Sequence, residues 1–187
     1  MPKMCQGKLS KDMKSILLLI GQKGSGKSYI GEYLEKEFGI KFIRVEDWAK
    51  SIKKGRSVNN EEYLNEVFFK IKNGIREKIS KCELLSFESL GLTKQFDQML
   101  QDLKKEYNLV TVKINCDFNR CIERIKFRDQ SIHIEFSEEQ LKKINSAFLE
   151  KGIKTDFEVN NNDNDINKLR KDLEKIINNI HIRVFGT

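Results

Sequence analysis

Proline is nearly absent, with one residue, Pro2, in a chain of 187. The rest of the chain therefore keeps every backbone donor, and no Pro-rich or Gly/Ser-rich stretch marks a linker between domains. Histidine is scarce too, limited to His133 and His181. The four cysteines, Cys5, Cys82, Cys116 and Cys121, form no C-x-x-C pair, which argues against a structural zinc site. An even cysteine count does not make a disulfide framework in a chain of this length without a secretion signal. Long hydrophobic runs are also missing. The first apolar run, residues 16–20, has five residues and is too short for a signal-peptide core or a membrane span. A reduced, cytoplasmic protein with no membrane partner is expected.

What remains is 39% hydrophobic and 34% charged residues, the composition of a globular domain with a heavily charged surface. The length suits one domain over 1–187 with a sizeable core. A formal net charge of +7 favours anionic partners such as nucleotides, nucleic acid or anionic lipid. The basic residues are dispersed, with no block of five in a row, which equally suits a solvated lysine-rich surface.

The hydrophobic pattern alternates between strand-like and helix-like segments. Residues 16–20 form a continuous apolar run stopped by Gly21, as in a strand buried on both faces of a parallel sheet. Ile30, Leu34 and Phe38 recur at helical spacing before Gly39. Phe42, Ile43 and Val45 read as a second strand ending at Glu46 and Asp47. Over residues 59–81, Leu64, Val67, Phe68, Ile71, Ile75 and Ile79 trace one helix face. Leu84, Leu85 and Phe87 read as a third strand closing at Glu88. Residues 93–107 read as a helix capped by Thr93, and 109–114 as a fourth strand. Residues 118–129 read as a helix carrying Arg120, Arg124 and Arg128 at four-residue steps. Ser137 and Gln140 have the spacing of a capping box for a helix over 137–151. Residues 157–159 read as a fifth strand, 160–165 as an Asn/Asp loop and 166–180 as the last helix, with the tail a weak strand or a frayed end. The alternation predicts an α/β fold, a three-layer α/β/α sandwich with a five-stranded, mainly parallel sheet. Ligands of such sheets bind beyond the carboxyl ends of the strands.

Gly21-Gln22-Lys23-Gly24-Ser25-Gly26-Lys27-Ser28 satisfies G-x-x-x-x-G-K-[ST] in full, and it lies between the first strand and the first helix. Its glycines let successive N–H groups turn toward an anion, and the helix N-terminus adds partial positive charge. Lys27 is expected to reach the β- and γ-phosphates of a nucleoside triphosphate, and Ser28 to ligate Mg²⁺. Gly21 through Ser28, with Tyr29, form the candidate nucleotide-binding segment.

The other strand ends supply the remaining candidates. Asp47 is placed to face the transferred phosphate as a base, with Glu46 competing for the role. Glu88 takes the position of an acid that completes a Mg²⁺ shell, or contacts substrate, with Ser89 and Gly91 beside it. Arg120, Arg124 and Arg128 can clamp phosphate oxygens; Arg124 and Arg128 are the candidates for charge neutralisation in transfer and Arg120 for nucleotide binding. His133 could touch substrate, Trp48 could stack on a base or anchor the core, and Asn160 begins a loop that could flank the adenine.

The P-loop, Asp47 in R-V-E-D-W and C-I-E-R-I-K-F-R-D at 121–129 together resemble the P-loop kinase superfamily. That group holds nucleoside monophosphate, shikimate, gluconate and polynucleotide kinases. The last segment looks like the R-x-x-x-R lid of these enzymes, which implies a small helical lid over about 124–140. D-F-E-V-N-N-N-D-N at 156–164 resembles their adenine loop. The resemblance implies transfer of the γ-phosphate of ATP, with Mg²⁺, to a hydroxyl or phosphate. The chain lacks the T-G-D-L-x-R segment of adenylate kinases and the D-x-D of shikimate kinases, so the acceptor stays open. A nucleotide, nucleoside or similar small molecule is the first expectation, and a polynucleotide hydroxyl the second. A nucleotide-binding switch or ATPase without an acceptor is the third. The fourth strand ends in I-N-C-D and so lacks the N-K-x-D segment by which GTPase switches read their base.

Overall fold

The run at residues 16–20 becomes the central strand of the protein. A computed structural model describes residues 14–127, 134, 136–163 and 165–185, with side chains through residue 182. Its elements are β1 (Ser15–Ile20), α1 (Lys27–Phe38), β2 (Lys41–Ile43), α2 (Val45–Lys53), α3 (Glu61–Ile79) and β3 (Leu84–Ser89). They continue as α4 (Lys94–Glu106), β4 (Asn108–Asn115), α5 (Phe118–Phe127), α6 (Glu138–Lys151), β5 (Phe157–Asn160) and α7 (Ile166–Phe185). The strands form one sheet in the order β2-β3-β1-β4-β5, and every pairing is parallel. Leu18 of β1 lies opposite Phe87 of β3 and Thr111 of β4.

All six residues of β1 are buried, because helices cover both faces of the sheet. Side chains alternate between the faces, so the strand feeds two cores. Ile16, Leu18 and Ile20 join Leu85 and Phe87 against Val67, Ile71 and Ile75 of α3 and Phe96, Met99 and Leu103 of α4. Leu17 and Leu19 join Val110, Val112 and Ile114 against Ile30 and Leu34 of α1 and Leu173 and Ile176 of α7. The edge strand β5 is fastened by a side chain. Asp156 Oδ2 accepts from the Thr111 amide at 2.8 Å and from its hydroxyl at 2.7 Å.

The expected caps form. Thr93 Oγ1 accepts from the Phe96 amide at 3.2 Å, and Ser137 and Gln140 close a capping box at the start of α6. Two expectations fail. The second strand stops at Ile43, and Val45 opens α2, a helix absent from the sequence reading. Val45, Trp48, Ala49 and Ile52 have helical spacing and pack into the α3 side of the core. Trp48 is thereby a packing anchor: a Cβ on Gly74 of α3 would collide with its indole ring. The tail is helical to Phe185, not a strand, because Ile177 and Ile180 extend the buried stripe of α7. No helix among the described residues is long and apolar enough to cross a membrane.

Leu18 is fully buried in the layer facing α3 and α4. Leu18→Ala should lower the unfolding free energy in urea by about 3 kcal/mol. A loss indistinguishable from zero would contradict this packing.

Candidate functional site

The loop after β1 curls through left-handed geometry at Gly24 (φ 85°) and Gly26 (φ 94°). A Cβ at Gly24 would strike the Cys121 carbonyl, and one at Gly26 would strike the Asn161 amide. The loop is gripped from three elements. Asn145 of α6 accepts from the Lys23 amide at 2.8 Å and donates to the Lys23 carbonyl at 3.1 Å. Asn161, just past β5, donates to the Ser25 carbonyl at 2.8 Å. Gln22 donates to the Cys116 carbonyl at the end of β4 at 3.0 Å, so its side chain braces the loop from within. The first amides of α1 point out of this cradle, as at any helix N-terminus.

Lys27 lies at the centre of the cradle, 8% exposed. Its Nζ donates to the carbonyls of Gly21 (2.9 Å) and Gln22 (2.8 Å). Burial pushes this ammonium down to about 8, with the Glu88 carboxylate opposing part of the drop. Glu88, one residue before the end of β3, is in register with Leu19 of β1 and is 6% exposed. Its carboxyl is pushed up by burial, against the pull of Lys27 and the Ser28 hydroxyl. Ser28 Oγ stands 2.9 Å from both Glu88 oxygens. A hydroxyl and a carboxylate form a hard oxygen pair, which suits Mg²⁺ held by few protein ligands and completed by phosphate and water. The residues present therefore fit both a triphosphate and its metal.

Two clefts meet at this point, sharing Gly26, Tyr29 and Arg124. The smaller, about 360 Å³, is walled by Asn160, Asn161, Ile166 and Leu169. It coincides with the segment expected to flank an adenine. Asn160 Oδ1 accepts from the Asn162 amide at 2.9 Å, which shapes that turn. The larger cleft, about 500 Å³, opens on the other side of Lys27, between α2, α3 and the end of β3. Arg124 Nη1 reaches the Cys116 sulfur at 3.3 Å. The neighbouring Cys121 thiol and Arg124 hold the Cys116 thiol below its usual range, against its burial.

The acids after β2 separate. Glu46 lines the larger cleft; its Oε1 accepts from the Ile134 amide at 2.9 Å and lies 3.5 Å from Lys23 Nζ. Asp47 does not line the cleft. Its side chain is 61% exposed and pairs with Arg44 at 3.7 Å. Both acids lie in the first turn of α2, where consecutive side chains are about 100° apart, and the helix turns Glu46 toward the cleft and Asp47 away from it. Arg120 is partly exposed and lines neither cleft. Tyr29 borders both clefts at 54% exposure. Arg128 and His133 lie outside the described residues, as does much of the expected lid.

Comparison with solved structures follows the same geometry. A gluconokinase from Sinorhizobium meliloti 1021 superimposes with a TM-score of 0.62 at 17% identity, covering 92% of this chain and 98% of that one. Shikimate kinase from Aquifex aeolicus vf5 gives a TM-score of 0.57 at 20% identity, covering 92% and 99%. The fold is that of the P-loop kinases. A structure of the Pnkp1/Rnl/Hen1 RNA repair complex also matches, with a TM-score of 0.62 at 12% identity over 76% of this chain and 47% of that one. Sequence comparison with protein-family models and with curated proteins finds no match.

Within this P-loop kinase fold, two site residues had no individual reading in the sequence. Asn145 is one, and its signal was a polar residue on the buried stripe of α6, between Leu141 and Phe148. Asn161 is the other, hidden within a run of asparagines.

Asn145→Leu removes both bonds to Lys23 and leaves that peptide unpaired. It should weaken nucleotide binding about tenfold in a titration, on the scale of one or two lost buried hydrogen bonds. Unchanged affinity would mean the loop holds its shape without α6. Phosphates favour a charged ammonium, so a nucleotide bound in this cradle would raise the Lys27 pKa from about 8. Nucleotide affinity should therefore be full below that pH and fall above it, by up to about tenfold per unit. An affinity flat between pH 7 and 10 would contradict a buried Lys27 at the phosphates.

Proposed function

We propose that this protein is an ATP-dependent phosphotransferase that moves the γ-phosphate of MgATP to the hydroxyl of a small molecule. The observation that carries this reading is the junction of two clefts at Gly26, Tyr29 and Arg124, with Lys27, Ser28 and Glu88 on the wall of the larger one. A triphosphate extending from the smaller cleft across Gly26 brings its last phosphate to the mouth of the larger one. An enzyme that only hydrolysed ATP would have no use for a second cleft of that size at this position.

In the proposed reaction, the acceptor oxygen bonds to the γ-phosphorus while the bond from that phosphorus to the β,γ-bridging oxygen breaks. The electron pair leaves with ADP. The acceptor proton passes to a carboxylate at the cleft mouth. Of the two acids considered, Glu46 is supported by its place on the cleft wall, and Asp47 is disfavoured by its exposure. Lys27 and Arg124 neutralise charge on the transferred group, with Arg128 retained as a second cation from the lid segment. Mg²⁺, held by Ser28 and Glu88, would neutralise the phosphate oxygens. Tyr29 and Asn160 would border the adenosine. The dispersed basic charge, with no concentrated basic run, favours a small acceptor over a polynucleotide.

Acceptor-dependent ADP release from MgATP tests the reading, and Lys27→Ala should abolish it. Full turnover in that variant would remove the P-loop assignment. Glu46→Gln should lower kcat by about 10²-fold or more, the contribution of a positioned general base. Asp47→Asn should leave kcat within a factor of about two, the size of an exposed surface change. The reverse ranking would return the base role to Asp47.

A further inference from the structure

Two thiols lie against the phosphate loop and take no part in the proposed transfer. Cys116 directly follows β4, and Cys121 belongs to α5. The Asp117 carbonyl accepts from the Cys121 amide at 2.9 Å, the first intrahelical bond of α5, so Asp117 is its N-cap. Cys116 is then the residue before the cap and Cys121 the fourth residue of the helix. Those are the two positions whose side chains pack together in a hydrophobic staple. The Cys121 thiol also donates to the Cys116 carbonyl at 3.8 Å. Both residues are buried, Cys121 completely, and both are free thiols.

A staple ordinarily joins two apolar side chains. Here it joins two sulfurs, and a cation stands on one of them: Arg124 Nη1 donates to Cys116 Sγ at 3.3 Å. The Cys121 thiol, Arg124 and Arg120 favour a Cys116 thiolate, against burial and Asp117. The thiolate is the reactive form of cysteine. Cys121 keeps its proton, held by Cys116 and by burial. A nucleophilic sulfur with a protonated thiol beside it is the arrangement of an attacking and a resolving cysteine. Arg124 borders both clefts, so the guanidinium on Cys116 is also a group that a small molecule in either cleft meets.

The backbone of the pair is joined to the loop. The Cys116 carbonyl accepts from Gln22 Nε2 at 3.0 Å. Gly24 packs so closely on the Cys121 carbonyl that a Cβ there would collide with it. A disulfide draws two sulfurs from contact to bonding distance and fixes the torsion between them. Neither carbonyl can follow that movement without shifting the loop, and Arg124 loses the anion that holds it.

We propose that Cys116 and Cys121 are a redox-active dithiol, closed to a disulfide by hydrogen peroxide or a small organic hydroperoxide, and that closure weakens phosphate binding at the loop. The Cys116 thiolate attacks one peroxide oxygen. An S–O bond forms, the O–O bond breaks, and the hydroxide released takes up the proton that Cys116 gave up. The Cys121 sulfur then attacks the Cys116 sulfur. The S–S bond forms, the S–O bond breaks, and the hydroxyl leaves with the Cys121 proton as a second water. The two sulfurs together lose two electrons and the peroxide gains them. The thiol chemistry stands apart from the kinase reading, whereas its consequence for the loop rests on that reading.

Trypsin cuts after Arg120, between the two cysteines, so residues 114–120 and 121–124 separate unless a disulfide joins them. Protein treated with hydrogen peroxide, blocked with N-ethylmaleimide and digested without reductant should yield the joined pair by mass, and dithiothreitol should restore the separate peptides. Peptides that stay reduced, or residues 114–120 joined to the peptide of Cys5 or Cys82, would overturn the proposal. Cys121→Ser should stop at the sulfenic acid, read as a dimedone adduct on Cys116. An adduct on Cys121 in Cys116→Ser, with none in Cys121→Ser, would overturn the assigned roles. The wild-type crosslink decides the matter even where neither variant folds. ATP titrations of oxidised and reduced wild-type protein read the consequence. The oxidised form should bind about tenfold more weakly, on the scale of one lost charge-assisted hydrogen bond, and dithiothreitol should restore it. Equal or tighter binding by the crosslinked protein overturns the coupling to the loop. Absence of ATP binding by the reduced protein removes the kinase reading instead, and the crosslink alone then judges the dithiol.

Discussion

The Lys27 ammonium is held almost wholly out of water, and the rest of the site is arranged around that charge. A buried cation is tolerable only where oxygens replace its hydration. Here the carbonyls of Gly21 and Gln22 do so, with the Glu88 carboxylate nearby. Those carbonyls converge because the loop is forced into left-handed turns at Gly24 and Gly26. The turns persist because Asn145, Asn161 and Gln22 tie the loop to three other elements. Glu88 in turn is placed by parallel pairing of β3 with β1, which sets its carboxylate beside Ser28. One electrostatic requirement thus links the sheet, the loop and α6.

The same geometry divides the site into unlike halves. On one side, asparagines and a helix N-terminus offer hydrogen-bond donors to a polar, anionic ligand. On the other, aliphatic and aromatic side chains of α2 and α3 line the larger cleft. Gluconokinase and shikimate kinase share the fold, yet fold alone does not carry an acceptor from one protein to another. In the proposed reaction, acceptor choice would reside in the walls of the larger cleft, which come in part from a helix pair packed through Trp48 against Gly74.

Strand and helix order was mostly legible because the periods are strong. β1 could be read from five consecutive aliphatic residues, and α3 from a stripe repeated over five turns. The segment after β2 was not, since Phe42, Ile43 and Val45 alternate like a strand for a few residues, and a nine-residue helix gives few periods to oppose that pattern. That miss carried into the site. With a strand assumed to run to Asp47, the two acids could not be told apart, whereas the first turn of α2 turns Glu46 inward and leaves Asp47 at the surface. Asn145 was equally out of reach, because its partner, Lys23, is 122 residues away.

The sequence alone determined the glycine-rich loop and the layered fold. Both are local in origin: an eight-residue motif needs only its own glycines and flanking strand and helix, and layers follow from hydrophobic period. Tertiary structure decided which acid meets the larger cleft, which asparagines hold the loop, and which side chains line that cleft. Those depend on helix rotation and on contacts between residues distant in the chain, which no short-range pattern encodes.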